Sequence, residues 1–181
     1  VYGTDNPTFS LNYSGLKNGE IAPAWDTAPT FTTDATKTSD VGTYDVNVVC
    51  APKNYTATIT QGNLIVTKAP LTIGVENATR PYCGQEPTYT YTYSGFVNGD
   101  NEDVLTTKPS IKTEATATSN VGEYTITLTD AQAKNYDFTY TDGTLSITQV
   151  PLTVKAESCS RDYGSENPLF SLIYEGFVNG E

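Results

Sequence analysis

The chain states one pattern three times. "VYGTDNPTFSLNYSGLKNGE" opens it, "PYCGQEPTYTYTYSGFVNGD" begins at Pro81, and "DYGSENPLFSLIYEGFVNGE" runs from Asp162 to the end. Gly15, Gly95 and Gly176 share one position of this frame, and Pro7, Pro87 and Pro168 share another. Further along, "SDVGTYDV" (39–46) answers "SNVGEYTI" (119–126), and "KNY" at 53–55 answers "KNY" at 134–136. "GNLIVTKAPLTI" (62–73) answers "GTLSITQVPLTV" (143–154). Self-similarity at a fixed period marks a tandem array, so a single large core is excluded before composition is considered.

The frame sets the boundaries. Residues 69–149 form one complete repeat unit. Residues 1–68 form a repeat unit lacking its first strand. Residues 150–181 form a partial third repeat unit, holding its first two strands. A chain that opens on Val1 and contains no Met reads as a piece of something longer. Further copies, a signal sequence and an anchor are expected outside it.

Within the complete unit, period-2 alternation and β-branched content mark the strands. "PLTIGVENAT" (70–79) is the first and "TYTYTYSGF" (88–96) the second. "SIKTEA" (110–115) and "GEYTITLTD" (122–130) follow. "YDFTYT" (136–141) and "TLSITQ" (144–149) are expected to close a hairpin around Asp142-Gly143, a favoured turn dipeptide. "NGDNEDVL" (98–105) has room for a turn or one helical turn, and no segment sustains a 3.6-residue period. The unit reads as almost all β.

The row Tyr89, Tyr91, Tyr93 shares one strand face. The first copy places Phe9, Leu11 and Tyr13 there, and the third places Phe170, Leu172 and Tyr174. A sugar-stacking platform needs a flat ring at every place, whereas Leu in the middle place needs only burial. The row is therefore read as the core face of an amphipathic strand.

The order Y-G, N-P, F-x-L-x-Y-x-G-F-x-N-G-E, V-G-x-Y, N-Y, G-x-L-x-I and A-P-L-T-V resembles the MBG-type repeat (YGX or YDG kind) of bacterial surface proteins. The resemblance spans the chain, twice at near-full length and once in part. It implies large secreted or cell-wall proteins, often adhesin-like, with no catalytic activity and no established ligand. The expected fold is mostly β: tandem small β domains, β-grasp-like with at most a short helical turn. An immunoglobulin-like β-sandwich is the alternative. One position departs from the pattern. The glycine of Y-G, present as Gly3 and Gly164, is Cys83 in the middle copy, where a positive φ would be harder to adopt.

Composition narrows the chemistry. A net charge of −11 and a pI near 4.3 disfavour nucleic acid and anionic membrane surfaces as partners. No apolar run approaches the ~18 residues of a membrane span, so no membrane insertion is expected. There is no His, which removes imidazole bases and the commonest metal ligand. Cys50, Cys83 and Cys159 fall at different places of the repeat frame, so they read as free thiols. The chain is not expected to be an enzyme, and no cofactor is expected.

Few residues remain as candidates. Asp100, Glu102 and Asp103 cluster in one loop and are the weak candidates for a cation, against the simpler reading of a solvated loop. Trp25, the only Trp, either fills the core under a proline-bounded loop or anchors a sugar or protein ligand. The expected role is a non-catalytic structural spacer of a secreted or cell-surface bacterial protein. A carbohydrate- or glycoprotein-binding module is the alternative. Expected partners are host glycans or glycoproteins and the neighbouring repeat units. Head-to-tail self-association is also expected, the tail strand of one molecule completing the head of the next.

Overall fold

A computed structural model describes all 181 residues. It is nearly all β, with one short 3-10 turn at Glu102–Val104. No helix is long and apolar enough to cross a membrane. The chain forms two compact units. One comprises Val1–Thr72, Tyr93–Pro109 and Asp130–Thr139, so it joins the first repeat to one end of the second. The other comprises Ile73–Thr92, Ser110–Thr129 and Tyr140–Glu181.

The first repeat supplies β1 (Trp25–Thr32), β2 (Gly42–Pro52) and β3 (Gly62–Val66), an antiparallel sheet ordered β1-β2-β3. Phe31 lies opposite Val48, and Tyr44 opposite Leu64. The turn into β2 is built by its own sequence. The Thr36 N–H donates to Ser39 Oγ at 2.8 Å, and the Tyr44 hydroxyl donates to the Asp40 carbonyl at 2.8 Å. The second repeat makes the same two bonds with Thr116, Ser119, Tyr124 and Asn120. These bonds are the physical content of the repeated T-x-x-S-x-V-G-x-Y stretch.

The second repeat opens with β4 (Ala69–Val75) and β5 (Ala78–Pro81), followed by β6 (Tyr91–Ser94), β7 (Leu105–Thr107), β8 (Ser110–Thr113) and β9 (Gly122–Thr129). It closes with β10 (Gln132–Ala133), β11 (Tyr136–Thr141) and β12 (Gly143–Thr148). One sheet is ordered β5-β12-β9-β8, with β12 antiparallel to β9 and parallel to β5. A second is ordered β11-β4-β6, and β7 pairs with β10. Leu71, Ile73, Ile126 and Leu145 are wholly buried. Each contributes about 1.5–3 kcal/mol by leaving water. The third repeat supplies β13 (Thr153–Ala156) and β14 (Leu172–Glu175), an exposed antiparallel pair.

Four local expectations change. The first strand breaks at Glu76-Asn77 into β4 and β5, which serve different sheets. The second strand is shorter, β6 keeping only Tyr91–Ser94. The pair β7/β10 was not foreseen. Asp142-Gly143 does not make a hairpin, since β11 and β12 belong to separate sheets and neither residue has positive φ. Gly143 serves close packing instead. A Cβ there would meet the Val75 carbonyl oxygen at 2.7 Å. Tyr89, Tyr91 and Tyr93 are half-buried while Thr88, Thr90 and Thr92 are exposed, so the row faces inward in the second repeat, whereas Phe170, Leu172 and Tyr174 of the third are 73%, 53% and 49% exposed.

Buried charge is confined to Arg80, 2% exposed. Its Nη2 donates to the Thr116 carbonyl and its Nε lies 3.4 Å from Glu86 without forming a hydrogen bond. The middle Y-G position keeps its turn despite the substitution. Cys83 takes φ +55°, beside +84° at Gly3 and +82° at Gly164.

Candidate functional site

The loop after the second N-G carries the three acidic residues singled out by the sequence, and each makes different bonds. Asp100 Oδ2 accepts from Tyr136 Oη at 2.6 Å and from Tyr2 Oη at 3.1 Å. Glu102 accepts from Tyr93 Oη at 3.3 Å and lies 3.6 Å from Lys108 Nζ. Asp103 offers its backbone N–H to Asn101 Oδ1 at 2.8 Å, which caps the 3-10 turn. Their carboxylates are not brought together as a ligand set.

What Asp100 does instead is join repeats. Tyr2 belongs to the Y-G motif of the first repeat, whereas Asp100 and Tyr136 belong to N-G-D and K-N-Y of the second. Tyr2 is 7% exposed and Tyr136 1%. Their rings meet edge-on at 5.7 Å, and Phe96 packs edge-on against Tyr136 at 5.5 Å. The Tyr136 hydroxyl also accepts from the Val97 N–H at 3.1 Å, so it both donates and accepts. Burial, and then the bond to Asp100, push the Tyr136 phenol up to about 12.

Around this tyrosine pair lies a second set of cross-repeat bonds. Asp40 accepts from Lys134 Nζ at 2.6 Å and from Asn135 Nδ2 at 2.7 Å. Asn135 Oδ1 in turn accepts from the Val41 N–H at 3.0 Å. Asn98 Nδ2 reaches the Lys37 carbonyl at 3.3 Å. The Lys134 bond, then Asn135, hold the Asp40 carboxyl below its ordinary range.

The arrangement recurs one repeat later. Tyr82, of the second Y-G motif, donates to Glu181 Oε1, the acid of the third N-G-E, at 2.8 Å. This bond and the neighbouring Cys83 push the Tyr82 phenol up to about 12. Within the first repeat, Tyr55 of K-N-Y bonds Glu20 of N-G-E and accepts from the Lys17 N–H at 3.1 Å. Three short motifs thus form one machine part: the K-N-Y tyrosine and the N-G acid pair within a repeat, and the Y-G tyrosine of the preceding repeat joins them. A signal for this was present in the sequence. The acid directly after N-G recurs as Glu20, Asp100 and Glu181, while Glu102 and Asp103 have no such counterparts.

Trp25 stands at the start of β1, half-buried, in the lining of an open groove of about 530 Å³. Its ring lies 6.0 Å from that of Tyr13. One wall of the groove is Leu11–Leu16 and the other Tyr55–Thr60, with Val48, Cys50 and Pro52 of β2 between them. Cys50 and Cys83 are half-buried, Cys159 is exposed, and all three thiols are unpaired.

No curated protein and no solved structure matches the chain. A family model, MBG domain (YGX type), matches it twice in tandem, over residues 1–65 and 71–146. These two segments hold the Y-G, N-G-[DE] and K-N-Y residues that meet at Asp100, and the chain belongs to the YGX-type MBG domain family.

Proposed function

We propose that this chain is a non-catalytic spacer of a secreted or cell-surface bacterial protein of the adhesin kind, and that its repeats are coupled in series. The observation that carries the reading is the Tyr2–Asp100–Tyr136 cluster, repeated in outline at Tyr82–Glu181. A stalk segment must transmit force and orientation from one repeat to the next. Bonds between the Y-G tyrosine of one copy and the N-G acid of the next do this at every junction, in the nearest-neighbour manner of repeat proteins. The surface location rests on the family resemblance.

Trp25 makes the test direct, because it reports the first repeat alone. Chemical unfolding followed by Trp25 fluorescence and by circular dichroism is expected to give coincident transitions in the wild-type chain. In Asp100→Asn the fluorescence transition is expected to separate and move to lower denaturant. Separate transitions already in the wild-type chain would sink the coupling.

The alternative, a carbohydrate- or glycoprotein-binding module, has one observation in its favour. Tyr13 and Trp25 offer two rings in an open groove. A host glycan retained on an array by the wild-type chain and lost by Trp25→Ala would establish it.

A further inference from the structure

Force on a tandem array enters each repeat through its first strand and leaves through its last. In the complete second repeat the first strand is β4 with its continuation β5, and the last is β12. β5 and β12 are parallel neighbours, with Ala78 beside Leu145 and Pro81 beside Thr148. Tension draws β5 back toward Ala78 and β12 on toward Thr148. Those are opposite directions along two strands that point the same way, so the pair is sheared and not peeled. Shear loads every bond of the ladder at once, whereas peeling breaks them one at a time.

The path up to β5 has the same geometry. β4 lies beside β11. The Ala69 N–H donates to the Asn135 carbonyl at 2.9 Å, and a Cβ at Gly74 would lie 3.7 Å from the Thr141 Cβ. These two strands therefore advance together, and β4 too is drawn along the length of its neighbour. The break between β4 and β5 is pinned to β12, because Asn77 Oδ1 accepts from the Thr144 N–H at 2.8 Å. Just past the other end of β5, the Tyr82 N–H donates to the Thr148 carbonyl at 2.8 Å.

Arg80 adds a brace. It stands in β5 opposite Ile147, and its side chain is the buried charge of the fold. Its Nη2 donates to the Thr116 carbonyl, in the connection between β8 and β9, so β5 holds a second partner besides β12. Nε and Nη1 make no hydrogen bond, and Nε lies 3.4 Å from Glu86. A buried charge so incompletely paired costs stability. What it provides is resistance to sliding, since β5 cannot shift along β12 without drawing the guanidinium from its buried seat. Arg161 holds the same place in the next copy of the frame.

We propose that β5 and β12 form a mechanical clamp, braced by Arg80, that sets the force at which this repeat yields. The proposal rests on the reading of the chain as a force-bearing spacer and adds where within a repeat the load is held. Forced unfolding is governed by the unfolding barrier and not by equilibrium stability, so the clamp is separable from the core by experiment. An apolar residue in place of Arg80 removes the brace and, with it, the cost of the buried charge. The rupture force therefore falls further than the unfolding midpoint does.

Single-molecule force spectroscopy of the full chain is the test. Held at its two ends, the wild-type chain is expected to show one dominant rupture that releases residues 69–149, roughly 270 Å of extended chain. The handles are then moved to azido side chains placed at the exposed Gln85 and Gln149, which follow β5 and β12 at the same end of the pair. There the strands are peeled, and the rupture force is expected to fall several-fold. Arg80→Met, folded by circular dichroism, is expected to lower the end-to-end rupture force. Leu128→Ala, a core truncation in β9, is expected to lower the guanidinium midpoint with a smaller change in force. Equal forces in the two pulling geometries, or a rupture force less sensitive to Arg80→Met than to Leu128→Ala, would overturn the proposal. The Trp25 transitions test the coupling of the repeats separately, so a failed clamp leaves that reading standing.

Discussion

Tyr136→Phe isolates the hydroxyl on which the junction turns. The ring stays, and with it the edge-on contacts to Tyr2 and Phe96. Two bonds go: the 2.6 Å bond to Asp100 and the 3.1 Å bond from the Val97 N–H. A hydrogen bond to a charged group contributes about 1.5–3 kcal/mol net, and a neutral one about 1 kcal/mol. Asp100 is half-buried and regains water, and it keeps Tyr2, so part of the first loss is recovered. The Val97 N–H, on a half-buried residue, is likewise only partly compensated. A destabilisation of about 2 kcal/mol follows. For a cooperative unit of about one repeat that is a drop of roughly 10 °C in Tm. Thermal and guanidinium unfolding by circular dichroism read it directly. Tyr55→Phe is the internal control, since it removes the same chemistry from Glu20 and Lys17 at an open site. Its effect is expected to be well below that of Tyr136→Phe. A Tyr136→Phe chain within about 0.5 kcal/mol of wild type, or equal effects at the two sites, would refute the reasoning.

Alkaline pH should act through the same hydroxyl. Burial is the largest cause raising both Tyr136 and Tyr89 to about 12. A phenol raised in the fold stabilises it while protonated. That contribution is complete below the unfolded value near ~10 and is lost as pH climbs toward 12. The guanidinium midpoint should therefore hold up to about pH 10 and fall beyond it, less steeply in Tyr136→Phe; a steep loss below pH 9 would contradict this. Leu71→Ala should cost about 2–5 kcal/mol, and Leu152→Ala in the dilute monomer under about 1 kcal/mol, because only the first opens a cavity; equal costs in denaturant titrations would count against the core described. Cys83→Gly should leave the turn unchanged and stabilise by a few tenths to about 1 kcal/mol, relief of φ +55° outweighing the flexibility gained by the unfolded chain; a loss of stability would contradict that.

The repeat frame and the strand faces were legible because both are periodic. The inward row at Tyr89, Tyr91 and Tyr93 and the turn before Tyr44 follow from local alternation and local bonds. What escaped depends on residues far apart. Asp142-Gly143 satisfies a local turn preference, but Gly143 is fixed by Val75. Arg80 is buried against the carbonyl of Thr116, a backbone partner that no side-chain pattern reveals. Asp100 was grouped with Glu102 and Asp103 by proximity, although its partners lie 98 and 36 residues away. Trp25 was left open between core and surface because its half-buried place in an open groove depends on Tyr13 and on Tyr55–Thr60, which are distant from it in sequence. At Cys83 a positive φ is harder to adopt than at glycine, and the backbone holds the left-handed conformation regardless.

The central claim is that one repeat is tied to the next through the Y-G tyrosine and the N-G acid. A double-mutant cycle of Tyr2→Phe and Asp100→Asn, measured by equilibrium unfolding of the whole chain, tests it most directly. The two residues are 98 apart in sequence and belong to different repeats, with Tyr2 Oη 3.1 Å from Asp100 Oδ2. A coupling energy of about 1 kcal/mol is predicted, with the Trp25 transition carrying it. Additive effects within about 0.3 kcal/mol would show that the first and second repeats do not communicate through this pair.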